Sequence, residues 1–158
     1  MTPAILAVRH SGYPFQVHEY SHNAAQQHAY GLEAVKALQL QPERVFKTLL
    51  VVLDGNPKRM AVAIVPVAHQ LDVKAIAKAL GAKKADLADV KQAERITGYV
   101  VGGISPIGQK RLLPTAMDES ALNFETIFIS AGRRGLEIEL GPEALLSICQ
   151  ADAVALCR

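Results

Sequence analysis

Val45-Phe46-Lys47-Thr48-Leu49-Leu50-Val51-Val52-Leu53 is the longest apolar run of the chain, and Asp54-Gly55-Asn56-Pro57 closes it. Its β-branched content and the turn-forming residues behind it predict a strand that ends in a turn over 54–58. Side chains alternate faces along a strand, so Lys47 shares a face with Val45, Leu49, Val51 and Leu53. Phe46, Leu50 and Val52 make the opposite face equally apolar, which predicts cover on both sides. An ammonium there must snorkel to water, find a partner or line a pocket. Full burial would otherwise disfavour its charged form by up to ~3–5 pKa units.

Met60 to Val67 continues as a second strand, so the two runs form a hairpin. Upstream, Thr2-Pro3 supplies an N-cap and a first-turn proline, and Gly12 a stop, for a helix over 3–11. Phe15 to Tyr20 alternates as a strand, 21–29 is polar and irregular, and Gly31 to Leu40 has helical apolar spacing. Downstream, Asp72 caps a helix that turns Val73, Ile76, Ala77 and Leu80 inward and ends at Gly81. A short helix near 88–95 leads to Tyr99-Val100-Val101, read as a strand, and then to a glycine-rich loop. Thr115 to Met117 is a short strand, and Asp118-Glu119-Ser120 a turn or helix cap. Phe124–Ser130 and Leu136–Leu140 form a second hairpin around Ala131–Gly135. Pro142 starts the last helix, and Val154-Ala155-Leu156 adds an edge strand. Hairpins mixed irregularly with helices predict an α/β (α+β) domain. Its sheet is mixed or antiparallel with helices around it, not doubly wound.

The 158 residues, half of them hydrophobic, are expected to form one domain with one core over 1–158. No apolar stretch is long enough to span a bilayer, and the N-terminus lacks signal-peptide features, so a cytoplasmic location is expected. Cys149 and Cys157 are expected to be free thiols. The net charge of +2 is far from that of a dedicated nucleic-acid binder. The positive charge is nevertheless paired at predicted turns, in Lys58-Arg59, Lys83-Lys84, Lys110-Arg111 and Arg133-Arg134. Four such pairs are compatible with a polyanionic partner, although any one pair is ordinary solvated surface.

Gly98 to Lys110 concentrates Gly102, Gly103, Pro106 and Gly108 in a short apolar stretch. Such a loop can bring backbone N–H groups up to a carbonyl oxygen or an anion, or can simply be a turn. It lacks the Walker pattern and the dinucleotide fingerprint. His18 and His22 lie in a strand-then-loop segment, without helical metal-ligand geometry, and no serine sits in a nucleophile elbow. The chain shows no nucleophile, general base, metal site or cofactor motif. If it is an enzyme, positioning and the substrate's own groups carry the chemistry.

Three segments together resemble a known family: Phe46–Val51, Gly98–Lys110 and Phe124–Gly135. In this order and spacing they are similar to the YbaK family, free-standing Cys-tRNA(Pro) deacylases related to the editing domain of bacterial prolyl-tRNA synthetases. The resemblance runs from Thr2 to the last helix. It implies a single domain built on a largely antiparallel, strongly curved sheet, acting in trans on aminoacyl-tRNA. Prolyl-tRNA synthetase is a possible partner in a ternary complex, and no cofactor or metal is implied.

Carried over by position, Lys47 is the family's essential lysine, with Thr48 beside it. Gly102, Gly103, Ile104, Ser105 and Pro106 match its Gly-x-x-x-Pro loop. Ser130 matches the serine ending the late strand, and Tyr20 and Tyr30 match aromatic positions near the pocket. Tyr30 replaces a phenylalanine, and Glu137 stands where some relatives carry aspartate. The implied mechanism is attack of the cysteinyl sulfur on its own ester. A hydrolytic deacylase for another mischarged tRNA such as Ala-tRNA(Pro), a non-catalytic aminoacyl-tRNA or small-ligand binding module, and a pure scaffold are the competing readings.

Overall fold

The computed structural model describes residues 1–21 and 30–158, and side chains from Gly31 onward in the second segment. The irregular stretch expected over 21–29 therefore lies outside the described residues from His22 on.

The decisive run is strand β2 (Phe46–Leu53), and it pairs antiparallel with β3 (Asn56–Pro66). Lys47 stands opposite Val65 and Leu50 opposite Val62. The turn is tighter than expected. Asp54 (φ 53°) and Gly55 (φ 65°) alone reverse the chain, both left-handed as a two-residue hairpin turn requires, so Asn56 and Pro57 already belong to β3. Three residues that the sequence left unassigned, Ala85–Leu87, form β4 along the outer end of β2. β5 (Thr115–Asp118) lies parallel to β3, and β8 (Asp152–Val154) parallel to β5. The last strand thus sits two residues earlier than expected. Leu156 is instead fully buried, its N–H donating to Asp118 Oδ1 at 2.9 Å.

The remaining strands form a second, antiparallel sheet in the order β1 (Phe15–Glu19), β7 (Leu136–Leu140), β6 (Ile127–Ser130). An isolated parallel bridge between Val45 and Phe128 joins it to the five-stranded sheet, whose order is β4-β2-β3-β5-β8. The expected mixed, largely antiparallel pairing is thus present as two sheets linked at one bridge.

Helices α1 (Pro3–Ser11) and α5 (Pro142–Cys149) cover one face of the long hairpin, and α3 (Val73–Ala79) the other. Thr2 accepts the Ile5 N–H as N-cap of α1. Phe46, Leu50, Val62 and Ile64 enter the larger core with Ile127, Ile129 and Ile138 of the second sheet. Val51, Leu53, Ala63 and Val65 meet Ile76 and Ala77 of α3 on the opposite face. β2 is therefore covered on both sides, as its composition predicts, and Lys47 starts from the α3 face.

Helix α4 (Val90–Thr97) starts with a full capping box between Asp89 and Gln92 and stops at Gly98, which is left-handed (φ 84°). Tyr99-Val100-Val101 is irregular backbone leading into a turn at Val101, not a strand. Its backbone is committed locally: Val101 N–H donates to Glu94 Oε2 at 2.9 Å, and Val100 C=O accepts from Gly103 N–H at 2.9 Å. The Tyr99 hydroxyl donates to the Ile107 carbonyl at 2.6 Å and pins the glycine-rich loop to the core.

Candidate functional site

Among the described residues β4 pairs with β2 at Val51–Leu53, and the second sheet is bridged at Val45, just before β2 begins. Between these contacts the edge of β2 opens on a cavity of about 510 Å³. That volume lies within the ordinary range for small-ligand sites. Alternate residues of β2 direct their amide groups to this edge. The Leu50 carbonyl does so, accepting from Ala88 N–H at 2.9 Å, and Thr48, two residues earlier, shares its direction.

Seven residues singled out from the sequence line this one cavity: Tyr20, Lys47, Thr48, Gly102, Ile104, Ser130 and Glu137. Four do not. Gly103 is buried, its N–H is used by Val100, and a Cβ on it would fall 2.6 Å from Arg133 Cα. Ser105 is fully buried and its hydroxyl accepts from Ile107 N–H at 3.2 Å. The Pro106 carbonyl accepts from the Cys149 thiol at 3.4 Å. These residues shape the loop from behind rather than line the cavity. Tyr30 opens α2 (Tyr30–Leu38), and its side chain lies outside what is described.

Lys47 is half-buried. Loss of hydration pushes its amine below the usual lysine value, with the nearby Cys157 opposing that shift. Among the described residues no carboxylate forms an ion pair with it. Thr48 places its Oγ1 out of solvent without a hydrogen-bond partner among the described residues. A buried, unmatched hydroxyl is costly unless a ligand uses it.

Glu137 is the most perturbed acid. It leaves β7 directly opposite Ser130 of β6 and His18 of β1, and burial raises its carboxyl from 4.5 to about 8. At neutral pH it is chiefly the protonated acid. Burial also raises the Tyr20 phenol to about 12, and the charges of Glu137 and Glu33 push the same way. Behind Tyr20, the buried Glu33 pairs with Arg134 at 2.9 Å. α2 can lie this close because Gly31 has no side chain: a Cβ there would come within 2.3 Å of Val67 Cγ1.

The rim is apolar. Leu32, Leu87 and Val90 line the cavity yet stay half-exposed, at 50%, 60% and 55%. Sequence reasoning missed them, along with the wall residues Phe46, Leu50 and Ala93. Single apolar residues carry no chemical signature, so only the position of β4 and α4 beside the open edge could have marked them. Among the described residues no group of three His, Cys, Asp or Glu side chains gathers as a metal site.

Residues 26–148 match the aminoacyl-tRNA editing domain. EbsC of Enterococcus faecalis, named as a Cys-tRNA(Pro)/Cys-tRNA(Cys) deacylase, is 39% identical over 147 residues, covering 93% of this chain and 87% of its own length. Two solved structures share the fold. A trans-editing enzyme for prolyl-tRNA synthetase, so titled, superposes with a TM-score of 0.82 at 22% identity, over 100% of this chain and 99% of the other. The hypothetical protein APE2540 does so with 0.86 at 18%, over 99% and 100%. A cavity at the open edge of β2, lined by residues from all three sequence motifs, stands on the fold that these proteins share. The chain belongs to the aminoacyl-tRNA editing domain family.

Proposed function

We propose that the chain, as one domain over 1–158, is a trans-acting deacylase that removes cysteine from Cys-tRNA(Pro). The observation that carries this reading is the cavity itself. Among the described residues it combines a half-buried ammonium without a carboxylate partner, a buried unmatched hydroxyl and a desolvated carboxyl, but no side-chain nucleophile with its own base. Such a site suits a substrate that brings its own nucleophile.

In the reaction, the cysteinyl sulfur gives up its proton and attacks its own ester carbonyl. A carbon–sulfur bond forms, the bond from the carbonyl carbon to the ribose oxygen breaks, and the ribose hydroxyl regains a proton. The products are a thiolactone and free tRNA. The cavity's part is to fold the aminoacyl end, exclude water and meet the transient oxyanion. Lys47 is the catalytic cation for that oxyanion. The backbone at Gly102 and Ile104 holds the carbonyl, Thr48 borders it beside Lys47, and Ser130 and Tyr20 border the aminoacyl group. Glu137 receives the α-ammonium. A cation there favours the ionised carboxylate and offsets the burial that otherwise keeps it protonated. Gly103, Ser105 and Pro106 serve by fixing the loop, and Tyr30 stands at the start of the neighbouring helix. The enzyme works in the cytoplasm. Selectivity for tRNA(Pro) comes from a complex with prolyl-tRNA synthetase.

The test is single-turnover deacylation of Cys-, Ala- and Ser-charged tRNA(Pro), with products identified by mass at early times. Fast loss of cysteine with thiolactone release, abolished when the sulfur is alkylated, is expected. Equal rates for alanine would replace the cyclisation by water attack. Saturable binding without ester loss at stoichiometric protein would make this a binding module.

A further inference from the structure

The four basic pairs of the sequence have different fates. Arg133 pairs with Glu19 at 3.2 Å and Arg134 with Glu33 at 2.9 Å, and the Lys110 side chain lies along Gly98. Lys58-Arg59 and Lys83-Lys84, although 25 positions apart in the sequence, meet at one corner of the five-stranded sheet. Asp54 holds them together. Its Oδ1 accepts the backbone N–H of Lys83 at 2.8 Å and of Lys84 at 3.1 Å, and its Oδ2 pairs with Arg59 at 2.9 Å. Its own N–H donates to the Lys84 carbonyl at 2.9 Å. The carboxylate is thus spent on backbone groups and one arginine. Lys58, Lys83 and Lys84 are exposed and form no ion pair among the described residues.

The position of this corner matters more than its charge. Strand β4 begins immediately after Lys84 and ends at Leu87 on the rim of the cavity. At ~3.3 Å per residue Lys84 stands about 10 Å and Lys83 about 13 Å from the rim, just ahead of the strand that forms it, while Lys58 lies on β3 at the same corner. A polymer with a phosphate in each repeat, whose end sits in the cavity, would cross Leu87 and reach these ammonium groups with its next phosphates. Asp86 and Asp89, also exposed along this path, would repel phosphates at the rim and favour contact at the corner.

We propose that Lys58, Lys83 and Lys84 dock the phosphates of the tRNA acceptor strand whose acylated end occupies the cavity. This rests on the deacylase reading above. The contact is not specific for sequence: it adds affinity for any tRNA and orients its end, while leaving selection among tRNAs to other surfaces.

The experiment compares wild type with the Lys58→Ala, Lys83→Ala, Lys84→Ala triple variant and with the corresponding triple arginine variant. The substrates are Cys-tRNA(Pro) and cysteinyl-adenosine, which lacks the phosphate chain. For the alanine variant, kcat/KM on Cys-tRNA(Pro) should fall about tenfold or more at low salt, through KM, and the log–log salt slope should shrink by about two to three. The arginine variant should retain both, and cysteinyl-adenosine should not distinguish the three proteins. An unchanged tRNA KM and salt slope in the alanine variant overturns the docking corner. Fluorescence anisotropy with uncharged tRNA(Pro) reads the same contact without catalysis. Failure to cleave either substrate would therefore reject the deacylase reading, while the anisotropy titration would still decide the docking corner.

Discussion

Ser130 and Glu137 are directly opposed in the β6–β7 ladder, and both line the cavity. Cross-strand partners share a face, so the pleat of the second sheet turns a hydroxyl and a carboxyl side by side toward the open edge of β2. The opposite face of the same strands carries Ile127, Ile129 and Ile138 into the core. Register therefore couples the site to the core. A one-residue slip of β7 would withdraw Glu137 and expose Ile138 in its place.

That position makes Glu137 a pH-dependent drain on stability. With its carboxyl raised to about 8 from 4.5, the native state keeps a proton that the unfolded chain has already released across this window. Stability is then fully present below about 4.5 and is lost as the pH rises through about 8. Urea unfolding of the free protein at pH 5, 7 and 9 should show this decline. Glu137→Gln should flatten it and be the more stable protein at pH 9. A parallel decline in both proteins would assign the dependence to other groups. Turnover should fall in the same variant, because an amide cannot pair with the α-ammonium.

Gly103 makes a structural prediction of the loop. A methyl group there would meet Arg133 Cα at 2.6 Å and Arg134 N at 2.9 Å, both backbone atoms that cannot swing aside. Gly103→Ala should destabilise the fold by about 1–3 kcal/mol in denaturant unfolding. It should also lower turnover by shifting Gly102 and Ile104, although Gly103 does not line the cavity. Wild-type stability in that variant would show that the loop packs against the second sheet more loosely than its geometry indicates.

The long hairpin was legible because composition, alternation and the Asp54-Gly55 turn all agree on it. Its two-sided cover also follows from the apolar content of both faces. β4 was hidden: three residues, two of them exposed, give no periodicity to read. Tyr99-Val100-Val101 misled because two β-branched residues behind a tyrosine resemble a strand. The left-handed Gly98 and the Glu94 carboxylate commit that backbone elsewhere. At the site, residue types alone gave Lys47 and the glycine loop. Thr48, Ser130, Tyr20 and Glu137 were reached through family resemblance, since burial of one carboxyl among 15 Asp and Glu residues depends on tertiary contacts.

Lys47 separates a working cation from a structural one. A buried, paired lysine would leave an orphaned charge behind on truncation and cost several kcal/mol. Here the amine is half-buried and without a carboxylate partner among the described residues, and its neighbour Cys157 is a thiol that burial and Asp118 push up to about 11, hence neutral. Lys47→Ala should therefore unfold within about 1 kcal/mol of wild type. Deacylation should drop by about two orders of magnitude or more, the scale of losing one oxyanion donor. Lys47→Arg tests geometry against charge: a planar guanidinium cannot place a point charge at the same spot, so it should recover little of the rate. Measuring the unfolding midpoint and the single-turnover rate on the same preparations decides the matter. A large loss of stability together with a near-normal rate per folded molecule would make Lys47 part of the scaffold and remove it from the chemistry.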